Sequence, residues 1–509
     1  MSIDLRHSAW RQLPEEVIIS ISYHVNRLPF HRISTLKSCS LTSRAFLRPS
    51  QAHIFASINF DISRTSRFVV FQSLCRTLLK NRGLGLHVRE LQLRSDTPDL
   101  YELHIPALNS FRTMLGLNKF TFICGRRSGD GTSDPEDAEM LIGWEQFART
   151  VRGNLNFVFS LPTLRTLELG GIHNLPSTLL VSFMKMEHLL LDSHLSIDSS
   201  MNATSPTGLM VLSSIRLQSL TLREVDSGVV NALASMLAYK PNGLKRLDLA
   251  PVRLAGVEGF SGAVWNLLRL GGRGLQAFEW EGVSARPHAF KPIDLSTIRT
   301  SLRHLSVSIT YSVWFAEPQV LIDLHALLRQ LSSADVALEV VTIKTAFAGA
   351  SSGDGSSNLT DFAGFDLTSD PEFLDEWSDL DKILSHKKAF KKLDRIELEY
   401  VRHTASSKAT ATSSLAVPVR GNSKSFPPNK GFGTPPSLAE VAYTKELEWW
   451  TDTACTFAER LAGTRARGVV IVFGESKTRR RSWAVFEPRS PEVVGGQDSF
   501  EWRPMRVGY

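Results

Sequence analysis

The chain has 509 residues, of which 42% are hydrophobic, and carries a formal net charge of +7. That size suffices for one elongated core or two domains. No stretch approaches the roughly eighteen apolar residues of a membrane span, residues 1–11 lack the apolar core of a secretion signal, and the four cysteines form no CxxC pair. We therefore expect no membrane segment, disulfide framework or zinc site, and a location in the cytoplasm, the nucleus or both.

Residues 13–60 predict three short helices, each with an apolar face. Pro14 suits a first helical turn, and Glu15 and Glu16 favour the positive end of the helix dipole. Behind them an apolar stripe recurs at helical spacing, made by Val17, Ile18, Ile21 and Val25. The pattern breaks at 28–30, a second helix follows, and a third is expected to stop at Pro49. About fifty residues bury too little surface to be stable alone, so a partner or an adjoining domain is expected to cover them.

This segment resembles the F-box, the motif with which substrate-receptor subunits dock on the Skp-type adaptor of SCF (cullin-RING) ubiquitin ligases. The resemblance rests on the LPEE opening at 13–16, the Cys39-Ser40-Leu41 step with Ser43 and Arg44, and the closing Ile54-Phe55. It implies that residues 10–60 bind the adaptor. The implied contact residues are Leu13, Pro14, Glu15, Val17, Ile18, Ile21, Leu36, Cys39, Leu41, Ser43, Phe46 and Leu47. The alternative is an ordinary helical cap on the domain that follows.

Charge within this segment favours an acidic partner. Between Trp10 and Phe60 the net charge is +4, which is more than half of the excess of the whole chain. A basic docking face would speed encounter with an acidic surface. The resemblance implies such a partner, because the adaptor that F-boxes bind is acidic.

From Val88 onward an LxxLxL pattern recurs and governs the expected architecture. In such a segment the fourth and sixth residues point to the same side of an extended strand and can share one core. The ten segments are 88–93, 117–122, 164–169, 186–191, 217–222, 244–249, 275–280, 302–307, 338–343 and 393–398.

Helical patterns alternate with these strands. Asp226 predicts a cap for a helix that buries Val230, Leu233 and Leu237, and Asp370-Pro371 opens another helix with a clear apolar stripe. The alternation resembles leucine-rich-repeat proteins and predicts residues 61–400 as such a domain, although the spacing of its repeats varies. The expected fold is an α/β solenoid: a small all-α F-box followed by an irregular leucine-rich-repeat horseshoe. A closed α/β barrel or a doubly wound sheet is the alternative, because LxxLxL describes any buried strand.

Several segments interrupt the repeats or follow them. Residues 125–139 and 348–381 are expected to contain inserted loops, and residues 402–436, rich in Ser, Thr, Ala and Pro, predict a disordered insertion. Residues 437–475 predict the last helix and strand of the solenoid, and 476–509 an irregular tail. The basic cluster within 477–481 indicates a nuclear-import or phosphate-binding tag, or a solvated loop.

Motifs that carry chemistry are nearly absent from the sequence. There is no HExxH, P-loop or GxSxG motif, and Ser34-Thr35-Leu36-Lys37 matches SxxK without its companion motifs. The histidines are scattered without metal-ligand spacing, and strand aromatics such as Phe278 and Trp280 suit a core better than a nucleic-acid platform. We expect no enzyme activity, cofactor, metal or nucleic-acid partner.

The sequence therefore predicts a substrate-recognition subunit of an SCF-type ubiquitin ligase, with the Skp-type adaptor, the cullin scaffold and an unknown protein substrate as partners. Substrate would meet strand residues that face away from the core. These are Thr166, Glu168, His188, Ser219, Thr221, Arg246, Asp248, Glu279, His304 and Ser306. The alternatives are an interaction scaffold without ubiquitin transfer, an enzyme on an α/β scaffold, and a leucine-rich binding protein without an adaptor.

Overall fold

The structure is a computed structural model, and the residues that it describes form two compact units. The first unit lies within Met1–Arg127, Asp137–Lys245 and Leu254–Gly271, and the second within Ser128–Glu136, Arg246–Arg253 and Gly272–Tyr509. Each combines helices with a largely parallel sheet, so the predicted α/β class is confirmed. The described residues are 13–28, 31–61, 65–95, 109–124, 142–192, 195–198, 215–250, 257–281, 294–312, 321–332, 336–348, 371–386, 388–401, 456–457, 459–475 and 482–486.

Three helices open the first unit: α1 (Glu15–Asn26), α2 (Arg32–Thr42) and α3 (Arg44–Phe55). The prediction of three helices is confirmed, but the prediction that the third stops at Pro49 is wrong. Pro49 lies inside α3, where a proline removes one backbone hydrogen bond. Phe46 and Ser50 on either side of it are buried, so packing carries the helix past the missing bond.

A parallel sheet follows in the first unit. Its strands are β1 (Ser57–Asp61), β2 (Glu90–Ser95), β3 (Lys119–Cys124), β5 (Thr166–Gly170), β7 (His188–Asp192) and β8 (Ser219–Arg223), while β4 (Ile142–Gly143) pairs separately with β6 (Ile172–His173). Each strand of the sheet pairs with the next in the chain, and the fourth residues of the LxxLxL segments come into one row. That row is at most 2% exposed and consists of Leu91, Phe120, Leu167, Leu189 and Leu220.

The remaining helices of this unit are α4 (Thr65–Lys80), α5 (Arg82–Gly85), α6 (Arg149–Phe159), α7 (Ser177–Phe183), α8 (Ser227–Leu237) and α9 (Val257–Gly271). Helix α8 begins as predicted, because Asp226 Oδ1 accepts a hydrogen bond from the Gly228 N–H at 2.6 Å. Its predicted apolar face is buried and packs against α9. At the end of β5, Gly171 has φ 71°, and a Cβ there would lie 1.6 Å from the Cys124 carbonyl oxygen, so only glycine fits.

The second unit repeats the same alternation. Strands β9 (Arg246–Ala250), β10 (Ala277–Glu281), β11 (His304–Ser312), β12 (Val340–Ala348), β13 (Arg395–Val401) and β14 (Val470–Glu475) pair in chain order and in parallel. Its helices are α10 (Ile322–Leu331), α11 (Pro371–Leu384) and α12 (Ala462–Ala466). The prediction of an irregular tail at 476–509 is wrong in part, because β15 (Ser482–Phe486) pairs antiparallel with β14.

All ten LxxLxL segments therefore contain strands, as predicted. Within each unit the strands follow one another in sequence order, whereas a doubly wound sheet reverses its order at a switch point. The sequential order is compatible with a repeat fold. Several predicted segments lie outside the described residues. They are the loop at 125–139, the insertion at 402–436, the basic cluster within 477–481 and most of the last helix predicted within 437–475.

Candidate partner-binding surfaces

The predicted adaptor-contacting residues divide by exposure. Ile18, Leu36 and Phe46 are only 4%, 0% and 5% exposed. They form the interior of α1, α2 and α3, which contact one another. Their assignment as partner contacts is therefore corrected: a three-helix unit needs apolar side chains between its helices, and these three residues supply them.

The other members of the predicted set remain accessible. Leu41, Val17 and Leu47 are 86%, 39% and 38% exposed, and Pro14 and Glu15 are exposed as well. Half-buried positions are Leu13, Ile21, Cys39 and Ser43. A large apolar side chain gains free energy when a partner covers it, so these three exposed apolar residues are candidates for a partner contact.

Ser43 has a local structural role in α3. Its hydroxyl accepts a hydrogen bond from the Ala45 N–H at 3.2 Å and so caps α3. Loss of this cap would affect the helix that carries Leu47. Ser43 is thus a positioning residue for the surface.

Sequence reasoning missed three further exposed apolar residues on α1 and just after it. Ile19, Tyr23 and Leu28 are 48%, 43% and 45% exposed, and the Arg27 guanidinium lies 4.6 Å from the centroid of the Tyr23 ring. Ile19 and Tyr23 are four residues apart and share one flank of the helix. Val17 lies about 200° around the helix from Ile19, on another flank. A helical wheel of all the apolar residues in α1, rather than of one stripe, would have identified Ile19 and Tyr23.

Positive charge surrounds this surface. All five basic residues between Leu13 and Asp61 that carry a full charge are exposed, against the exposed acids Glu15 and Glu16. The basic residues are Arg27, Arg32, Lys37, Arg44 and Arg48. The three helices thus present more exposed positive than negative charge, which favours an acidic partner.

The strand residues predicted to face away from the core come together in rows. In the first unit, Thr166, His188 and Ser219 are aligned across β5, β7 and β8. One row further along, Glu168 accepts a hydrogen bond at 3.1 Å from the hydroxyl of Thr121 on β3. Thr221 belongs to the same row but is only 9% exposed, so its assignment as a substrate contact is corrected.

In the second unit the outward residues form an ion-pair network. The Arg246 guanidinium lies 3.0 Å from Asp248 Oδ1 and 3.1 Å from Glu279 Oε2, and Glu279 also pairs with Lys344. Positive and negative charges alternate, so they largely satisfy one another. Ser306 lies beside Glu279 in register but is only 4% exposed, so it too is corrected from a contact residue to a buried one.

A second chain of contacts crosses β11, β12 and β13. His304 Nε2 lies 2.7 Å from the Thr342 hydroxyl, which donates a hydrogen bond to Glu397 Oε2 at 2.9 Å, and Arg395 pairs with Glu397 at 3.1 Å. Burial is the main cause that lowers the pKa of His304. The positive charges of Arg246 and Lys344 also lower it, whereas the carboxylates of Glu397 and Glu279 raise it. His304 therefore favours its neutral form.

The sequence-based prediction of outward residues did not include the rest of this cluster. Thr342, Arg395 and Glu397 occupy outward positions of the last two LxxLxL segments, and Lys344 continues the same alternation just after the first of them. The same alternation that selected Glu279 and the other candidates would have selected them.

Other chemistry is sparse among the described residues. No group of three or more His, Cys, Asp or Glu side chains in that part of the chain could hold a metal ion. The described thiols of Cys39, Cys75 and Cys124 are free, and burial raises the pKa of Cys75 to about 11, so its reactive thiolate is disfavoured. No helix within the described ranges combines the length and the apolar character that crossing a bilayer requires.

Comparisons with known proteins give a weak structural likeness and no likeness in sequence. No family model matches the chain, and no curated protein matches it. Among solved structures, the chain is similar to one from a crystal structure of the Rad7 and Elc1 complex in yeast, with 13% sequence identity. The match covers 67% of this chain and 90% of the other with a TM-score of 0.29, and a likeness of that size carries no argument about function.

Proposed function

We propose that this protein is a non-catalytic substrate-recognition subunit of an SCF-type ubiquitin ligase. Helices α1 to α3 would dock on the Skp-type adaptor, and the outward strand residues would meet a protein substrate. The observation that carries the proposal is the apolar surface of these helices, on which Leu41 is 86% exposed while Leu36 on the same helix is fully buried. The helices thus have a complete interior and an uncovered exterior.

The exposed apolar side chains of α1 and α3 support a docking role for these helices rather than a role as a helical cap. A cap would turn its apolar side chains toward its own chain, whereas Val17 and Leu47 remain more than one-third exposed in the folded protein. Such exposure costs free energy in an isolated protein and is recovered when a second polypeptide covers the residues. The exposed basic residues around them fit the acidic adaptor that the F-box resemblance implies.

The repeated strand and helix units support the second half of the proposal. Sequential parallel strands with outward polar rows are the arrangement of a leucine-rich-repeat horseshoe, and we propose this finer fold for the chain. Accessible outward residues such as His188 and Arg246 would contribute to substrate contact. Their mixed chemistry defines no ligand class.

The test is co-purification of a recombinant Skp-type adaptor and cullin with the full chain. The double variant Val17→Asp and Leu47→Asp places charges on the proposed contact surface and is expected to abolish adaptor binding. Both side chains are accessible, so the fold should tolerate the changes. The control is Ile19→Asp, which adds one charge of the same sign on a different flank of α1 and should leave adaptor binding intact.

Retention of the adaptor by the double variant, with its helices still formed, would refute docking through this surface. Retention of the adaptor without cullin or ubiquitylated proteins would instead favour an interaction scaffold. Loss of the adaptor in both the double variant and the control would refute the assignment of the surface to the Val17 flank.

A further inference from the structure

A basic cleft lies in the first unit just before the first residues of β7 and β8. Its volume is about 410 Å³, and it is lined by Glu187, Arg216, Gln218, Lys240, Asn242, Gly243 and Lys245. Three of these residues are cations and one is an acid. The acid, Glu187, lies 3.6 Å from Arg165, so its charge is partly compensated.

Backbone hydrogen bonds fix the floor of the cleft. The Gln218 N–H donates to the Glu187 carbonyl at 2.9 Å, and the Lys245 N–H donates to the Gln218 carbonyl at 2.8 Å. Chain segments joined in this way lie roughly 5 Å apart. Side chains from three neighbouring segments therefore line one cleft at short spacing. Because these N–H groups are already used, recognition there depends on side chains.

Lys240 is held in place at the wall. Its Nζ donates to the Ile215 carbonyl at 2.6 Å, which leaves two of its three N–H donors for a ligand. Gly243 gives room for this arrangement, because a Cβ at that position would lie only 3.3 Å from the Lys240 Cγ and Cδ atoms. The ammonium is thus preorganised rather than free to sample solvent.

Arg216 and Lys245 supply the remaining donors. Both side chains are exposed, and neither has an ion pair within the described ranges. An arginine presents five N–H donors in a planar fork that matches an oxyanion, and lysine adds a compact charge. The side-chain amides of Gln218 and Asn242 offer further donors.

From this geometry we infer that the cleft binds a phosphate monoester. A doubly charged tetrahedral oxyanion has enough acceptors for two ammonium groups and a guanidinium, whereas a single carboxylate has fewer and only one charge. The cleft is larger than a bare phosphate, so it has room for the group to which the phosphate is esterified. A nucleic acid would need a track of cations along successive phosphates, whereas the three cations here line a single cleft.

The site is independent of the proposed adaptor docking. It is assigned from residues 187–245, none of which belongs to α1, α2 or α3. The ester could belong to a small molecule or to a phosphorylated side chain of another protein. Both offer the same chemistry to the cleft, and the experiment separates them.

The experiment measures binding of O-phosphoserine, and of a ten-residue peptide with a central phosphoserine, to the full chain at constant ionic strength. The double variant Arg216→Gln and Lys245→Met should weaken binding about tenfold, or about 1.4 kcal/mol, because it removes two exposed charge contacts. Glu187→Gln removes the opposing charge and should strengthen binding roughly threefold. The matched control is Arg223→Gln at the other end of β8, which should leave binding unchanged.

Tighter binding of the phosphopeptide than of phosphoserine would support the site with a protein as its source, and equal binding would support it with a small molecule as its source. The inference would be overturned if neither phosphorylated probe bound. It would also be overturned if Arg223→Gln weakened binding as much as the double variant. The Glu187→Gln variant keeps the test valid if the double variant is unstable, because weaker or unchanged binding there contradicts the charge argument.

Discussion

Leu36 and Leu41 lie on the same helix, α2, yet they are 0% and 86% exposed. This pair separates the interior of the three-helix unit from its surface. Leu36→Ala leaves a cavity among α1, α2 and α3 and should destabilise them by about 2–5 kcal/mol. Leu41→Ala removes atoms that touch little else, so the free energy of unfolding should change by less than about 0.5 kcal/mol.

Adaptor affinity should respond in the opposite order to local stability. Leu41→Ala removes three carbons from the proposed contact, and at about 0.8 kcal/mol for each buried carbon this amounts to roughly a fiftyfold weaker adaptor complex. The assay combines amide hydrogen exchange across 13–61, which reports local opening, with adaptor binding by surface plasmon resonance. Leu36→Ala should accelerate exchange across α1 to α3, and Leu41→Ala should not.

Three results would refute this reasoning. Unchanged exchange in Leu36→Ala would mean that the three helices do not depend on their apolar interior. Unchanged adaptor affinity in Leu41→Ala would remove this residue from the docking surface. Faster exchange in both variants would contradict the exposure of Leu41.

Two further predictions concern the second unit. Asp381 accepts hydrogen bonds from the N–H groups of Gly463 and Thr464 at 2.9 and 2.8 Å and from the Thr464 hydroxyl at 2.6 Å. Asp381→Ala should therefore destabilise α12 by about 2–4 kcal/mol. Hydrogen exchange in α12 should be faster in this variant than in the control, Asp379→Ala. Equal exchange in the two variants would exclude this anchoring role. Burial lowers the pKa of His304 in the folded protein. As the pH falls through about 6.5, this imidazole is therefore protonated in the unfolded chain before it is protonated in the folded one. The free energy of unfolding that His304 contributes above that pH is lost below it. His304→Gln should therefore reduce the fall in melting temperature between pH 7.5 and 5.5, and an unchanged fall would show that His304 does not contribute to it.

Local patterns were sufficient for most of the elements. The LxxLxL segments place strands because alternate apolar residues at Leu167 and Leu169 can only share a core in an extended chain. Asp226 predicts its helix because its carboxylate satisfies an N–H group that the first turn leaves free. The prediction that the third helix stops at Pro49 was wrong, because the lost hydrogen bond is visible in the local sequence. The packing of Phe46 that offsets this loss depends on the tertiary structure.

The candidate surfaces needed more than the pattern. Ile18 and Val17 are adjacent and equally apolar, but one is 4% and the other 39% exposed, a difference set by where α2 and α3 lie. The missing members of the polar network, such as Thr342 and Glu397, were recognisable by alternation alone. Their hydrogen bond was not, since it joins residues 55 positions apart.

The sequence by itself determined the elements: three helices at the start, strands at each LxxLxL segment and helices such as α8 and α11 between them. These follow from contacts between residues a few positions apart, which a periodic pattern encodes directly. Only the tertiary structure decided which apolar residues of α1 to α3 are interior and which are surface, and which side chains converge on the basic cleft. Both depend on packing between segments distant in the chain, because burial and charge spacing are properties of the assembled core.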